Sequence, residues 1–191
     1  MPFSVESTLI LISQAFQKGG CYNVKRRSGA AINYSFTIRK ATKEDAEAIK
    51  GIMHEAFHKY MQDTGLTGTM DALEESIDDI EKDIASKEVF IAFIDNIPVG
   101  TVRVSVLPDN TAYISRFGVS LNYHNIGIGK SLMNLVDKYV KSKGLKKVIL
   151  YTASKYKDLV RFYYGRGFYI DSTTRDRGYI RALMIKEYGD S

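Results

Sequence analysis

The sequence predicts an α/β fold, a single domain with a mixed, mostly antiparallel, twisted sheet flanked by helices. Three observations predict it. Short alternating or apolar runs bounded by turn residues recur between Tyr34 and Ile185. Other stretches repeat apolar residues every three or four positions, the helical period. The resulting order is strand, two helices, three strands, helix, strand, helix, two strands, in which helices cover the faces of a sheet.

Residues 1–33 form an N-terminal extension with no clear period. Residues 7–16 suit a short helix or strand ended by Lys18-Gly19-Gly20, and residues 24–29 read as a mobile basic loop. The domain proper is assigned to residues 34–191 and begins with an alternating strand at 34–38. Thr42, with Asp45 three residues on, reads as a helix N-cap. The helix behind it sets Ile49, Ile52, Met53, Ala56, Phe57 and Tyr60 on one face, until Gly65 and Gly68 interrupt. Leu73, Ile77, Ile80 and Ile84 then recur at spacings of four, three and four, which predicts one second helix. Residues 89–94 and 97–106 pair through an Asp95-Asn96 hairpin turn, and 111–119 form a third strand. A long helix follows, with Ile128, Leu132, Leu135, Val136, Tyr139 and Val140 facing inward and Gly144 past its basic end. Residues 148–151 read as a buried strand and 158–166 as a short helix. Residues 168–170 and 179–185 make a closing pair of strands.

Composition narrows the class. A chain of 191 residues, 45% hydrophobic and 26% charged, supports one globular domain with a substantial core. The single cysteine, Cys21, excludes an internal disulfide and an all-cysteine metal cluster, so a reduced, cytoplasmic setting is expected. The apolar run Leu9-Ile10-Leu11-Ile12 falls far short of a membrane span, and its flanks do not suit a secretory leader. No membrane partner is expected. The net charge of +5 is uneven: residues 42–97 carry five Lys/Arg against fourteen Asp/Glu, and residues 98–191 carry sixteen against seven. One reading is lysines scattered over solvated faces. The other is a basic half for a polyanionic cofactor and an acidic segment beside a cationic substrate. Nucleic acid is not expected, because no recognition motif accompanies the Lys25-Arg26-Arg27 cluster.

The segment with chemical content runs from Val119 to Lys130, between a strand and a helix. Gly127 and Gly129 permit a tight turn and close backbone approach, and the helix N-terminus behind them favours negative charge. Lys130 adds a cation. A phosphate or pyrophosphate is the ligand that physics asks for. The third glycine of a dinucleotide fingerprint is missing, as is the earlier glycine of a Walker loop.

His124-Asn125-Ile126-Gly127-Ile128-Gly129 resembles the cofactor motif of the GCN5-related acetyltransferases, Gln/Arg-x-x-Gly-x-Gly/Ala, with His124 at the Gln/Arg position. Downstream, Leu159–Phe168 resembles the family element Ala-x-x-x-Tyr-x-x-x-Gly-Phe, with Leu159 for the alanine and Tyr156 where an asparagine is common. The likeness spans about residues 34–188. It implies a single-domain acetyltransferase fold with acetyl-CoA as co-substrate and no metal. It implies cofactor contacts from Phe117, Val119, His124, Asn125, Ile126, Gly127, Ile128, Gly129, Lys130 and Tyr156. Tyr163 is implied as the general acid for the departing thiolate, and a homodimer is an expectation from the same source.

The resemblance implies transfer to a small-molecule or peptide amine by direct attack in a ternary complex. Many relatives carry a carboxylate base on the strand before the glycine loop, and here that strand offers Tyr113, Ser115 and Arg116 instead. Three sources of a base stay open: Glu55 or His54 on the first helix, an acidic residue of the second helix, or water held by backbone carbonyls. Glu74 and Asp78, from the second helix, are candidates to attract a cationic acceptor such as a polyamine; a solvated acidic face is the plainer reading. His54 and His58 stand one turn apart and read as exposed helix residues rather than metal ligands. The rival function is a non-catalytic acyl-CoA-binding or regulatory module.

Overall fold

Strand β3 (Glu88–Ile94) shows why the sheet is covered on both sides. Alternate side chains leave a strand in opposite directions, so Phe90, Ala92 and Ile94 join one core while Val89 and Ile91 join another. The structure, a computed structural model, describes residues 21–25 and 31–189 of the chain. Residues 7–16, and most of the N-terminal extension with them, lie outside the described residues.

Eight strands form one sheet in the order β1-β2-β3-β4-β5-β6-β8-β7. They are β1 (Cys21–Lys25), β2 (Ala31–Lys40), β3, β4 (Ile97–Val106), β5 (Thr111–Val119), β6 (Lys147–Ala153), β7 (Tyr169–Thr174) and β8 (Arg181–Glu187). Among the described residues only β5 and β6 are parallel; the other pairs are antiparallel, as expected for a mixed, mostly antiparallel sheet. Val24 and Lys25, read from sequence as part of a loop, instead lie in β1, which pairs with β2 from Cys21↔Ser35 to Lys25↔Ala31.

Helix α1 (Ala46–Thr64) follows a single 3-10 turn, Lys43–Asp45, in which the Thr42 backbone N–H donates to the Asp45 carboxylate at 2.7 Å. With α2 (Asp71–Glu74) and α3 (Ile77–Ser86) it covers one face of the sheet through Ile49, Met53, Ala72, Ile80 and Ile84. On the opposite face lie α4 (Ile128–Ser142), which buries Leu132, Met133, Val136 and Val140, and α5 (Lys157–Tyr164), which buries Tyr163.

The single second helix expected from the Leu73–Ile84 period is two helices. Glu75 between them is extended (ψ 127), and Ser76 caps α3 by accepting from the Asp79 N–H at 3.2 Å. The apolar period survives the break, so periodicity alone hides it. The cause is long-range: Glu75 gives both carboxylate oxygens to Arg103 of β4 at 3.0 and 2.8 Å. Arg103 is fully buried, and a buried guanidinium requires such partners.

Candidate active site

Strands β5 and β6 pair only from Thr111↔Lys147 to Tyr113↔Ile149. Beyond that point they part, β5 running on to Val119 and β6 to Ala153. A bulge drives the divergence. Between Thr101 and Arg103 of β4 the register with β5 slips by one residue, from Gly118 to Ser115, leaving Arg116 and Phe117 without register partners there. An extra residue sharpens strand twist and bends the strand away. Arg116 takes φ 49, a left-handed conformation that costs an arginine roughly 1–2 kcal/mol. The strand expected at 111–119 is present, but it is irregular at this residue.

The opening is a cleft of ≈ 780 Å³ that runs from the glycine loop at one end to α2, Arg177 and Tyr179 at the other. At the loop end, Gly127 has φ 93 and no side chain caps α4, so the first N–H groups of the helix remain for a ligand. Gly129 is closely packed: a Cβ there would sit 3.1 Å from Phe117 Cζ, so the ring would have to give by a few tenths of an ångström. Phe117 stacks on Phe162 at 5.8 Å between centroids and lies 6.4 Å from Tyr163.

Of the residues singled out from sequence, Phe117, Val119, His124, Asn125, Gly127, Ile128, Gly129, Lys130, Tyr156 and Tyr163 all line this one cleft. Ile126 does not line it and is exposed. His124 hydrogen-bonds through Nε2 to the Val119 carbonyl at 2.8 Å, which fixes the loop to the strand. Glu55, Glu74 and Asp78 are outside the lining. The Glu55 carboxylate accepts from the Leu121 N–H at 3.1 Å, an anchor for the loop. Glu74 and Asp78 are exposed. His54 and His58 face each other, Nε2 to Nε2, at 3.2 Å, also away from the cleft lining.

Tyr163 is 4% exposed, ringed by Phe117, Phe162 and Phe168. Burial, with a smaller effect of Tyr60, pushes its hydroxyl well above the usual tyrosine range. It therefore stays protonated at any physiological pH, as a proton donor must. Tyr60 was missed in the sequence reading because its helical spacing marks it only as core. Its hydroxyl accepts from the Ala153 N–H at 2.6 Å, tying α1 to the free end of β6, and burial raises it to about 12. Tyr156 donates to Asp63 at 2.6 Å; burial and that carboxylate raise it to about 12.

At the far end the sequence names Tyr113, Ser115 and Arg116 on the strand but not the ion pairs around them. Arg177 pairs with Asp71 at 2.7 Å, Arg181 pairs with Asp176 and lies 4.5 Å from the Tyr151 ring, and Arg116 donates from Nε to Glu75 at 2.7 Å. These contacts span 106, 5 and 41 residues, so only the short one had a local signal. Hydrogen bonding from Arg177 holds Asp71 below the usual carboxylate range. Among the described residues, no three His, Cys, Asp or Glu side chains are placed to share a metal, and no helix is long and apolar enough to cross a membrane.

The fold occurs in solved acetyltransferases. A PaiA N-acetyltransferase from Thermoplasma acidophilum, in complex with coenzyme A, superposes with a TM-score of 0.71 at 23% identity, covering 81% of this chain and 99% of that one. YncA, a putative acetyltransferase from Salmonella typhimurium with acetyl-CoA, gives 0.66 at 14% identity over 82% and 95%. Arabidopsis thaliana Naa50 with a bisubstrate analogue gives 0.62 at 20% identity over 81% and 99%. No curated protein sequence gives a significant match. The acetyltransferase (GNAT) family model matches residues 52–168, from α1 through the glycine loop to Phe168. A match over more than half the chain, on the segment that builds the cleft, places this protein in the acetyltransferase (GNAT) family.

Proposed function

We propose that the protein transfers an acetyl group from acetyl-CoA to a primary amine by direct attack within a ternary complex. The observation that carries this reading is the parting of β5 from β6, with a glycine-cushioned helix N-terminus at one end and a buried, protonated tyrosine alongside. The residues present fit the co-substrate. Uncapped N–H groups at Gly127–Lys130 suit a pyrophosphate, and the missing Cβ at Gly129 keeps the loop close against Phe117. The unpaired length of β5 suits an extended pantetheine arm, which can bond to it as a strand would.

Acetyl-CoA supplies an activated acyl group and a thiolate leaving group. The chain's own groups do the rest. The Phe117 N–H, without a register partner on β4, is assigned to stabilise negative charge on the reacting carbonyl oxygen. Tyr163 holds a proton at its hydroxyl for the departing sulfur. Among the described residues the carboxylates lining the cleft are Asp71 and Asp158, with no glutamate. Asp71 is committed to Arg177, and Asp158 is solvent-exposed beside Arg161 at 3.7 Å, so the amine enters already neutral or gives its proton to solvent. Because Glu74 and Asp78 lie outside the cleft lining, the reading keeps a primary amine and does not extend to polyamines.

The test is mass-spectrometric detection of acetylated product from acetyl-CoA and a panel of amino acids, polyamines, aminoglycosides and peptide N-termini. Enzyme-dependent product from one amine class supports the reading. Coenzyme A binding with no product from any amine would replace it with the non-catalytic binding module.

A further inference from the structure

Ion pairing at the far end of the cleft leaves one cation over. Arg103 engages both oxygens of Glu75 at 3.0 and 2.8 Å, so that carboxylate is already matched. Asp83 accepts from Arg103 and is matched by Lys87 at 2.7 Å. Arg177 has Asp71, and Arg181 has Asp176. Arg116 shares Glu75 with Arg103 and brings the surplus positive charge. It uses Nε alone for that contact; among the described residues its two terminal nitrogens make no hydrogen bond.

The placement of Arg116 is specific. It lines the cleft, it precedes Phe117 directly, and the bulge holds it at φ 49, where an arginine is strained. Strain of this kind persists where surrounding contacts over-determine it, and here buried Arg103 and Glu75 do so. Tyr113, Tyr151 and Tyr179 line the same end. A guanidinium with two free parallel donors is matched to a carboxylate.

Resting on the acetyltransferase reading above, we propose that the acceptor is a small amino acid. Its carboxylate is held by the terminal nitrogens of Arg116 and its amine faces the reacting carbon beside Phe117. The transfer forms the amide N–C bond and breaks the thioester C–S bond. The attacking nitrogen releases a proton to solvent, and Tyr163 supplies one to the departing sulfur.

The experiment compares amino acids with their carboxamides, with spermidine and phosphoethanolamine as further arms, and expresses rates per neutral amine. The native protein is expected to favour the carboxylate over the carboxamide by about tenfold or more in kcat/KM. In Arg116→Gln that preference should fall to within about threefold, with the loss in KM, and Arg116→Lys should restore only part of it. Calorimetric titration of the preferred amino acid into the coenzyme A complex supplies a reading independent of turnover: binding in the native protein, lost in Arg116→Gln. Coenzyme A affinity confirms that each variant is folded. Equal rates for acid and carboxamide, preference for spermidine or phosphoethanolamine, or a preference unchanged in Arg116→Gln would each overturn the proposal. No product from any amine would overturn the acetyltransferase reading along with it.

Discussion

The two ends of the cleft are built in opposite ways. The glycine-loop end comes from one contiguous stretch, Val119 to Lys130, and presents mainly backbone; side-chain identity matters there chiefly where a Cβ would intrude, as at Gly129. The arginine end draws on seven parts of the chain: α2, the α2–α3 break, α3, β4, β5, the β7–β8 connection and β8. Its groups are side chains held by ion pairs across 28, 41 and 106 residues. Chemistry common to a family can rest on backbone, which tolerates sequence change. On the acceptor assignment proposed above, the arginine end would read the acceptor through side chains that can be exchanged without disturbing the loop.

Substitutions at the two ends should therefore fail differently. The largest effect is expected from Arg103→Ala, which removes the buried partner that joins Glu75 to Asp83 and leaves them only Arg116 and Lys87; unfolding free energy should fall by about 3 kcal/mol in urea denaturation. A loss below about 1 kcal/mol would mean that the arginine end does not depend on its buried network. Next is Tyr163→Phe, expected to reduce kcat by about tenfold to a hundredfold with coenzyme A affinity unchanged. Because the hydroxyl is raised rather than lowered, it keeps its proton as pH rises. The native rate should climb with the neutral-amine fraction and show no alkaline fall below pH ~10. An alkaline limb near pH 8 would point to a different acid.

Gly129→Val should weaken coenzyme A binding by about tenfold, or 1.4 kcal/mol, measured by calorimetry. Its Cβ meets Phe117 Cζ at 3.1 Å, so the ring or the loop must give, and the further methyls of valine enlarge that shift. Unchanged affinity would detach the loop from the cofactor. The smallest effect belongs to Asp71→Asn. The Asp71–Arg177 pair is solvent-exposed, so stability should change by less than about 1 kcal/mol, while acceptor KM shifts about threefold.

Much of the loop end was legible in sequence, and the reason is locality. The turn, the helix start at Ile128 and the Tyr163 element are each contained within a few residues, so their order and spacing survive in one dimension. The strand and helix sequence was legible for the same reason, down to the Asp95-Asn96 turn, whose φ values of 48 and 65 suit a primed hairpin. The arginine end was not legible. Nothing local marks Arg116 as left-handed, since the bulge is a mismatch between two strands. Glu75 breaks a helix without disturbing its apolar period, because Arg103 lies 28 residues away. Glu74 and Asp78 share that acidic run and stay exposed, while Glu75 reaches buried Arg103 and its neighbour Arg116.

The central claim is that the parting of β5 and β6 receives acetyl-CoA. Hydrogen–deuterium exchange with and without coenzyme A tests it most directly. Slowed exchange is expected in residues 114–119 and 126–131, with β7 (Tyr169–Thr174) unchanged. Protection confined to other segments, or none at saturating coenzyme A, would contradict it.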